Sequence, residues 1–118
     1  MKYMLLIYAD PHAVPAEGSP EREAQFRRWG TYTEELDKSG AMLAGAPLQP
    51  VQTATTVRRR NGERLVTDGP FAETKEQLAG YYLVDVPDLD TALDWADRMP
   101  NIEYGTVEVR PIMEMPAG

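Results

Sequence analysis

Residues 65–86 read LVTDGPFAETKEQLAGYYLVDV, and this stretch decides most of the predicted fold. It leaves one strand, passes through a tight turn at residues 68–70 and enters another strand at residues 79–86. Successive side chains of a strand point to opposite faces of its sheet, so Tyr81 and Tyr82 are predicted on opposite faces. At most one of these two tyrosines can therefore line a pocket on a given face.

A β-hairpin is predicted immediately before this stretch. Residues 53–60 and 63–67 flank Asn61 and Gly62, which both tolerate the positive φ angle of a type I′ turn. The three arginines at 58–60 would form a nucleic-acid patch in isolation. At the end of a hairpin strand, however, such charge discourages pairing with other sheet edges.

Two helices are predicted from capping residues and helical spacing. Ser19 and Pro20 begin the first helix, and Gly40 ends it. Asp88 caps the second helix, and Pro100 closes it. The residues predicted to form the core-facing stripes are Phe26, Trp29, Thr33 and Leu36 in the first helix, and Leu89, Ala92, Leu93, Ala96 and Met99 in the second.

Three further strands are predicted at residues 3–8, 42–48 and 105–114. The first has apolar residues at both its odd and its even positions, which is typical of a strand buried on both faces. The last alternates Val107 and Val109 with polar residues, which gives it one apolar and one polar face. This order of elements predicts an α+β fold, a ferredoxin-like split βαβ sandwich with an inserted β-hairpin.

A homodimer follows from the same plan. Two helices cover only one face of the sheet, whereas the first strand is apolar on both faces. A second copy of the chain is the simplest cover for the other face, packed through Tyr3 and Leu5 or through the opposite parity. Such a two-fold dimer would enclose polar groups such as Glu108 and Arg110 in a central pocket.

Length and composition exclude several classes of protein. A chain of 118 residues has the size of one domain, predicted to span residues 1–118. No stretch approaches the roughly 18 uncharged apolar residues of a membrane span. Residues 1–9 lack a cleavage site and are predicted as a strand rather than a signal. The formal net charge of −7 argues against a nucleic-acid partner because it repels phosphate.

The cysteine and histidine content limits the possible chemistry. The absence of cysteine excludes a disulfide framework and a thiolate nucleophile, and it fits a reducing cytoplasm, which is the predicted location. His12 is the only histidine, which together with the absence of cysteine argues against a metal site. No other cofactor is predicted. His12 could transfer protons at a pocket mouth, although a lone loop histidine is more often solvated.

Charged residues around the tight turn are candidates for chemistry. Asp68 could act as a general base if apolar neighbours such as Phe71 raise its pKa toward neutrality. Alternatively, Asp68 begins the turn and accepts backbone N–H bonds. Lys75 and Glu76 could hold a carboxylate or enolate and shuttle its proton, but such a pair is more often a solvated surface feature.

Three further candidates lie on the predicted sheet. Glu108 and Arg110 share one strand face, where they could bind an anionic small molecule or form a salt bridge between subunits. Tyr81 could donate a hydrogen bond to a ligand, and core packing is the alternative role for it.

These residues together resemble the DGPF-type branch of the YCII-related proteins, which is named after the tetrapeptide at residues 68–71. The resemblance continues through residues 77–86, recurs at 107–112 and includes the opening residues 1–7. It implies a ferredoxin-like subunit of the dimeric α+β barrel superfamily. That superfamily includes cofactor-free oxygenases, muconolactone-type isomerases and dehydrochlorinase-like enzymes, whereas most DGPF-type proteins have no assigned activity.

The resemblance also shows a departure. Other YCII-like proteins carry a histidine–aspartate dyad with its histidine on the first helix, but residues 19–40 of this chain contain no histidine. Asp68 still matches the aspartate of that pattern.

Two classes of function are consistent with these residues. The first is a cofactor-independent lyase or isomerase acting on an acidic or enolisable metabolite, with Asp68 as acid or base, Lys75 and Arg110 holding negative charge, and Tyr81 donating a hydrogen bond. The second is a non-catalytic accessory protein, because many members of the branch are encoded beside extracytoplasmic-function sigma factors. A structural dimer without a ligand is the third hypothesis.

Overall fold

The computed structural model describes residues 1–116. In chain order its elements are β1 (Lys2–Ala9), α1 (Pro20–Lys38), β2 (Met42–Pro47), a short 3₁₀ helix (Val51–Thr53), β3 (Thr55–Arg60), β4 (Glu63–Asp68), β5 (Gln77–Asp85), α2 (Leu89–Asp97) and β6 (Gly105–Pro111).

Four of the six strands form one antiparallel sheet in the order β2-β5-β1-β6. The strands β3 and β4 pair only with each other, as a hairpin inserted between β2 and β5. This arrangement confirms the predicted α+β, ferredoxin-like split βαβ plan with an inserted hairpin.

Helix α1 begins and ends where the sequence predicts, but it presents a different face to the sheet. The Ser19 hydroxyl accepts a hydrogen bond from the Arg22 backbone N–H at 3.1 Å, and Gly40 follows the helix with φ 81°. The predicted core position of Phe26 is wrong, because this side chain is 77% exposed. The buried residues of α1 are Gln25, Tyr32 and Leu36, of which Leu36 was predicted.

Tyr32 explains this rotation of α1. Its ring makes edge contacts with Trp29, Tyr82 and Trp95, and its hydroxyl donates a hydrogen bond to the Trp95 backbone carbonyl at 2.8 Å. Burial raises the pKa of the Tyr32 phenol well above its ordinary range, so the hydroxyl remains a donor. These contacts place Tyr32, rather than Thr33, at the centre of the buried stripe.

Helix α2 also buries a narrower stripe than predicted. Ala92, Ala96 and Met99 are buried, whereas Leu89 and Leu93 are each 46% exposed. The helix is short, and its small residues allow a close approach to the sheet, which leaves the two leucines at the margin.

Asp88 caps α2 as predicted. One oxygen of its carboxylate accepts hydrogen bonds from the Thr91 backbone N–H at 2.8 Å and from the Thr91 hydroxyl at 2.7 Å. The hydroxyl bond from Thr91, followed by the backbone bond, holds the pKa of Asp88 below its usual range.

We expect Asp88→Asn to destabilise the protein at neutral pH and to have little effect in acid. Because the folded-state pKa is lowered, the charged cap stabilises the fold above the unfolded-state pKa of about 3.9, and this stabilisation is lost as pH falls through the folded value. Asparagine remains a competent neutral cap, so the variant isolates the charge. Thermal unfolding from pH 7 to pH 2 should show the two melting temperatures converging, and a constant difference would contradict the assignment.

The helices cover one face of the main sheet and leave the other uncovered. The covered face carries Tyr3, Leu5 and Ile7 of β1, which pack with the buried residues of both helices. The other face of β1 points away from the helices and is only half-buried; it carries Met4, Leu6 and Tyr8.

Within residues 1–116 no helix is long and apolar enough to cross a membrane.

The hairpin β3–β4, here called the arm, projects from the rest of the chain. Asn61 and Gly62 form its tip with φ angles of 52° and 80°, as expected for the predicted type I′ turn. The arm makes few contacts with other elements. Accordingly the radius of gyration is 16.5 Å, whereas a compact chain of this length has a value of about 13–14 Å.

Candidate functional site

The uncovered surface of the main sheet, here called the open face, brings several predicted site residues together. Strand pairing arranges its side chains in three rows across β6, β1 and β5. These rows are Arg110–Met4–Leu83, Glu108–Leu6–Tyr81 and Thr106–Tyr8–Leu78. The result is an apolar strip flanked on the β6 side by polar and charged groups.

Tyr81 and Tyr82 lie on opposite sheet faces, as predicted. Tyr82 is buried beneath α1, where its hydroxyl shares a 2.5 Å hydrogen bond with the Thr33 hydroxyl. Tyr81 is half-buried on the open face, in the same row as Glu108. Of these two tyrosines, Tyr81 is therefore the one placed to meet a ligand on this face.

Glu108 and Arg110 share the open face, as predicted, and both are exposed. The Tyr8 hydroxyl donates a hydrogen bond to Glu108 Oε1 at 3.5 Å. Neither charged residue forms a salt bridge with any part of the chain that the structure describes. Both groups therefore remain available to a ligand or to a second subunit.

Glu76 joins the open face from the loop before β5, at the end of the sheet where β6 begins. Its Oε1 accepts a hydrogen bond from the Thr106 hydroxyl at 2.8 Å. Lys75 is exposed and forms no salt bridge with Glu76 or any other of residues 1–116. The two neighbours thus do not act as a pair within one chain.

Asp68 does not reach the open face of its own chain. It is exposed at the end of β4, opposite Thr55, and among residues 1–116 its carboxylate accepts no hydrogen bond. The turn is made by Gly69, whose φ is 97° and whose N–H bonds the Ala54 carbonyl at 2.7 Å. Phe71 is 76% exposed and does not provide the expected apolar surroundings. Within one chain Asp68 is neither a turn cap nor a buried base.

His12 lies in the loop after β1, beyond the end of the sheet that carries Tyr8. Its backbone N–H donates to Asp10 Oδ1 at 2.9 Å, and the residue is exposed. This contact fixes the backbone of the loop and leaves the imidazole free of hydrogen bonds to residues 1–116.

Tyr8 and Thr106 are site residues that the sequence analysis missed. Both belong to the row of the open face that adjoins Glu76, and each hydroxyl contacts one of the two carboxylates there. The sequence did carry a signal for Tyr8. It follows the apolar residues Met4 and Leu6 on the same face of β1, and a phenol at such a position needs a hydrogen-bond partner.

The described residues offer neither a second ligand pocket nor a metal site. A cavity of about 430 Å³ lies between α1 and α2, but its Arg98 is already paired with Glu35 at 2.6 Å and stacks over Trp95. No group of three or more histidine, cysteine, aspartate or glutamate side chains among residues 1–116 is placed to hold a metal ion.

Comparison with known proteins identifies the family. Residues 1–116 match the YCII-related domain family. An uncharacterized protein of Rhizobium meliloti (strain 1021) is 40% identical over 114 residues, which cover 95% of this chain and 92% of the relative.

A solved structure shares the fold at low sequence identity. It is the 5-chloro-2-hydroxyhydroquinone dehydrochlorinase TftG from Burkholderia phenoliruptrix AC1100, in complex with 2,5-dihydroxybenzoquinone. It aligns with a TM-score of 0.55 and 8% identity, over 98% of this chain and 96% of the other. The fold is thus one that also carries a small-molecule enzyme, and the chain belongs to the YCII-related family.

Proposed function

We propose that this protein is a DGPF-type member of the YCII-related family that forms a homodimer through the open face. Between the two sheets it binds a small acidic or enolisable molecule. The observation that carries the proposal is the row of Glu108, Leu6 and Tyr81, which sets a carboxylate and a phenol on either side of an apolar centre. A binding pocket has this composition, mostly apolar with a few polar groups that orient the ligand.

The open face offers complementary groups for an anion that forms by loss of a proton from carbon. The Arg110 guanidinium supplies positive charge for a carboxylate or enolate oxygen. Tyr81 supplies a phenolic O–H that can donate to the same oxygen as negative charge develops. Glu108 adds a carboxylate to the same face, in the row of Tyr81 and two residues before Arg110 on β6.

The chemical class that fits these groups is a cofactor-independent elimination or isomerisation. A carboxylate removes a proton from the carbon beside a carbonyl, the resulting enolate is held by Arg110 and Tyr81, and the proton returns at another position or a leaving group departs. Asp68 is our proposed acid–base residue, and Lys75 and His12 are proposed to lie at the pocket rim. Enclosure between two sheets would strengthen each electrostatic contact by excluding water.

We expect 2,5-dihydroxybenzoquinone to raise the melting temperature of the wild-type protein and Arg110→Ala to weaken its binding. This probe is an acidic enol, and it is the molecule bound to TftG. A ligand at 100 times its Kd stabilises the folded state by about 2.7 kcal/mol. Loss of a charged hydrogen bond worth about 1.5–3 kcal/mol lowers affinity roughly 10- to 150-fold.

The measurement is a thermal-shift titration with this probe and with small dicarboxylates. Arg27→Ala serves as the matched control, because Arg27 is exposed on α1, away from the open face. Equal shifts in wild type, Arg110→Ala and Arg27→Ala would refute a site at Arg110.

The alternative, an accessory protein for an extracytoplasmic-function sigma factor, makes the opposite prediction. Such a protein would bind its partner through an exposed surface and need no small molecule. If no probe shifts the melting temperature of the wild type or of Arg110→Ala, the partner-protein hypothesis gains and the enzyme hypothesis fails.

A further inference from the structure

The arm carries an apolar pair that its own chain leaves uncovered. Val57 and Val66 lie opposite each other on one arm face and are 63% and 54% exposed. An isolated two-stranded hairpin is only marginally stable in water, so it gains by packing this face against another surface.

The arm is also basic within an acidic protein. Four of the 12 basic residues of the chain lie on it, although the chain as a whole carries a formal charge of −7. Arg59 and Arg64 are directly opposite each other, a like-charge pairing that destabilises a hairpin. No arm arginine forms a salt bridge within residues 1–116. The arm therefore matches an acidic surface.

The open face of a second copy has the matching properties. Its end near β6 carries the exposed carboxylates of Glu76 and Glu108, and Leu78 beside them is 37% exposed. The arm does not cover the main sheet of its own chain, because it makes few contacts with that sheet. Asp68 lies on the same arm face as Val57 and Val66, since strand pairing places alternate residues together.

We propose that the arm of each subunit crosses to the second copy and packs on the end of its open face that carries Glu76 and Leu78, so that Asp68 and Arg64 of one chain complete the pocket of the other. This inference rests on the proposed dimer and names the missing parts of its site. The open face of one chain supplies Glu108, Tyr81 and Arg110, and the arm of the other supplies the acid–base carboxylate and a second cation. Two cations suit a ligand with two anionic groups, such as a dicarboxylate or an enolate that also bears a carboxylate.

The absence of cysteine makes the crossing directly testable. Each introduced thiol is unique in the chain, so a short bifunctional thiol reagent reports one pair of positions. We would mix Val66→Cys protein with Leu78→Cys protein and analyse the product under denaturing conditions. A two-chain product with one thiol from each variant is expected. Val66→Cys mixed with Arg27→Cys is the matched control, because Arg27 lies on the outer surface of α1.

A variant with both cysteines in one chain distinguishes an arm that crosses to the second copy from an arm that folds back onto its own sheet. The double variant Val66→Cys/Leu78→Cys should cross-link between chains at micromolar concentration, and an additional Arg64→Glu substitution should lower the yield several-fold. Cross-linking only within one chain, or no Val66–Leu78 product at all, would overturn the proposal. The assay needs no ligand, so a dimer that shows a probe shift but no arm cross-link refutes the crossing alone. A cross-linked dimer without a probe shift refutes the ligand alone.

Discussion

Replacing Leu6 with aspartate should convert the proposed dimer to a folded monomer. Leu6 occupies the middle of the open face, between Tyr81 and Glu108, and points away from the helices. A carboxylate placed there would be buried between two sheets beside Glu108, and an unpaired buried charge costs several kcal/mol. The monomer keeps its core because the covered face of β1 is unchanged.

Sedimentation velocity at micromolar concentration measures this change. Wild type should sediment at about twice the chain mass of 13.2 kDa, and Leu6→Asp at the chain mass. Leu93→Asp provides the control, because Leu93 lies on α2 and is 46% exposed. A Leu6→Asp dimer, or a wild-type monomer, would show that the open face is not the interface.

Leu5→Ala should destabilise the fold strongly, although Leu5 is the neighbour of Leu6. Leu5 is fully buried on the covered face, in contact with the cluster formed by both helices. Truncating a buried leucine to alanine costs about 2–5 kcal/mol, because it loses transfer free energy and leaves a cavity. Natural domains have only about 5–15 kcal/mol of stability, so the melting temperature should fall by roughly 10 °C or more.

Chemical denaturation with urea checks the size of this effect. Leu89→Ala is the control, since Leu89 is 46% exposed on α2 and should cost less than about 1 kcal/mol. A Leu5→Ala protein as stable as Leu89→Ala would mean that the helices do not pack on this face.

Local chemistry explains which elements the sequence predicts well. The hairpin turn follows from Asn61 and Gly62 alone, and the start of each helix follows from Ser19 and Asp88, because caps and tight turns depend on residues that are adjacent in the chain. The shared face of Glu108 and Arg110 follows in the same way from the two-residue period of a strand.

Tertiary contacts explain what the sequence does not predict. The rotation of α1, which buries Gln25 and exposes Phe26, depends on the contacts of Tyr32 with Tyr82 and Trp95, which come from distant parts of the chain. A strongly apolar side chain at almost the right helical position gives no local sign that it faces solvent.

The candidate site was only partly predictable for a similar reason. Tyr81 joins Glu108 in one row only because β1 pairs with β5 and β6 in a particular register, and that register is a long-range property. No local sequence pattern predicts that Asp68 lies on an arm projecting from the main sheet. This holds even though residues 68–71 form the most distinctive motif in the chain.

The most direct test of the pocket compares wild type with Leu6→Asp in the same thermal-shift titration of acidic probes. If the pocket forms only between two open faces, the probes raise the melting temperature of wild type by several degrees and leave the folded Leu6→Asp monomer unchanged. An equal shift in the monomer, or no shift in the wild-type dimer, would contradict the account.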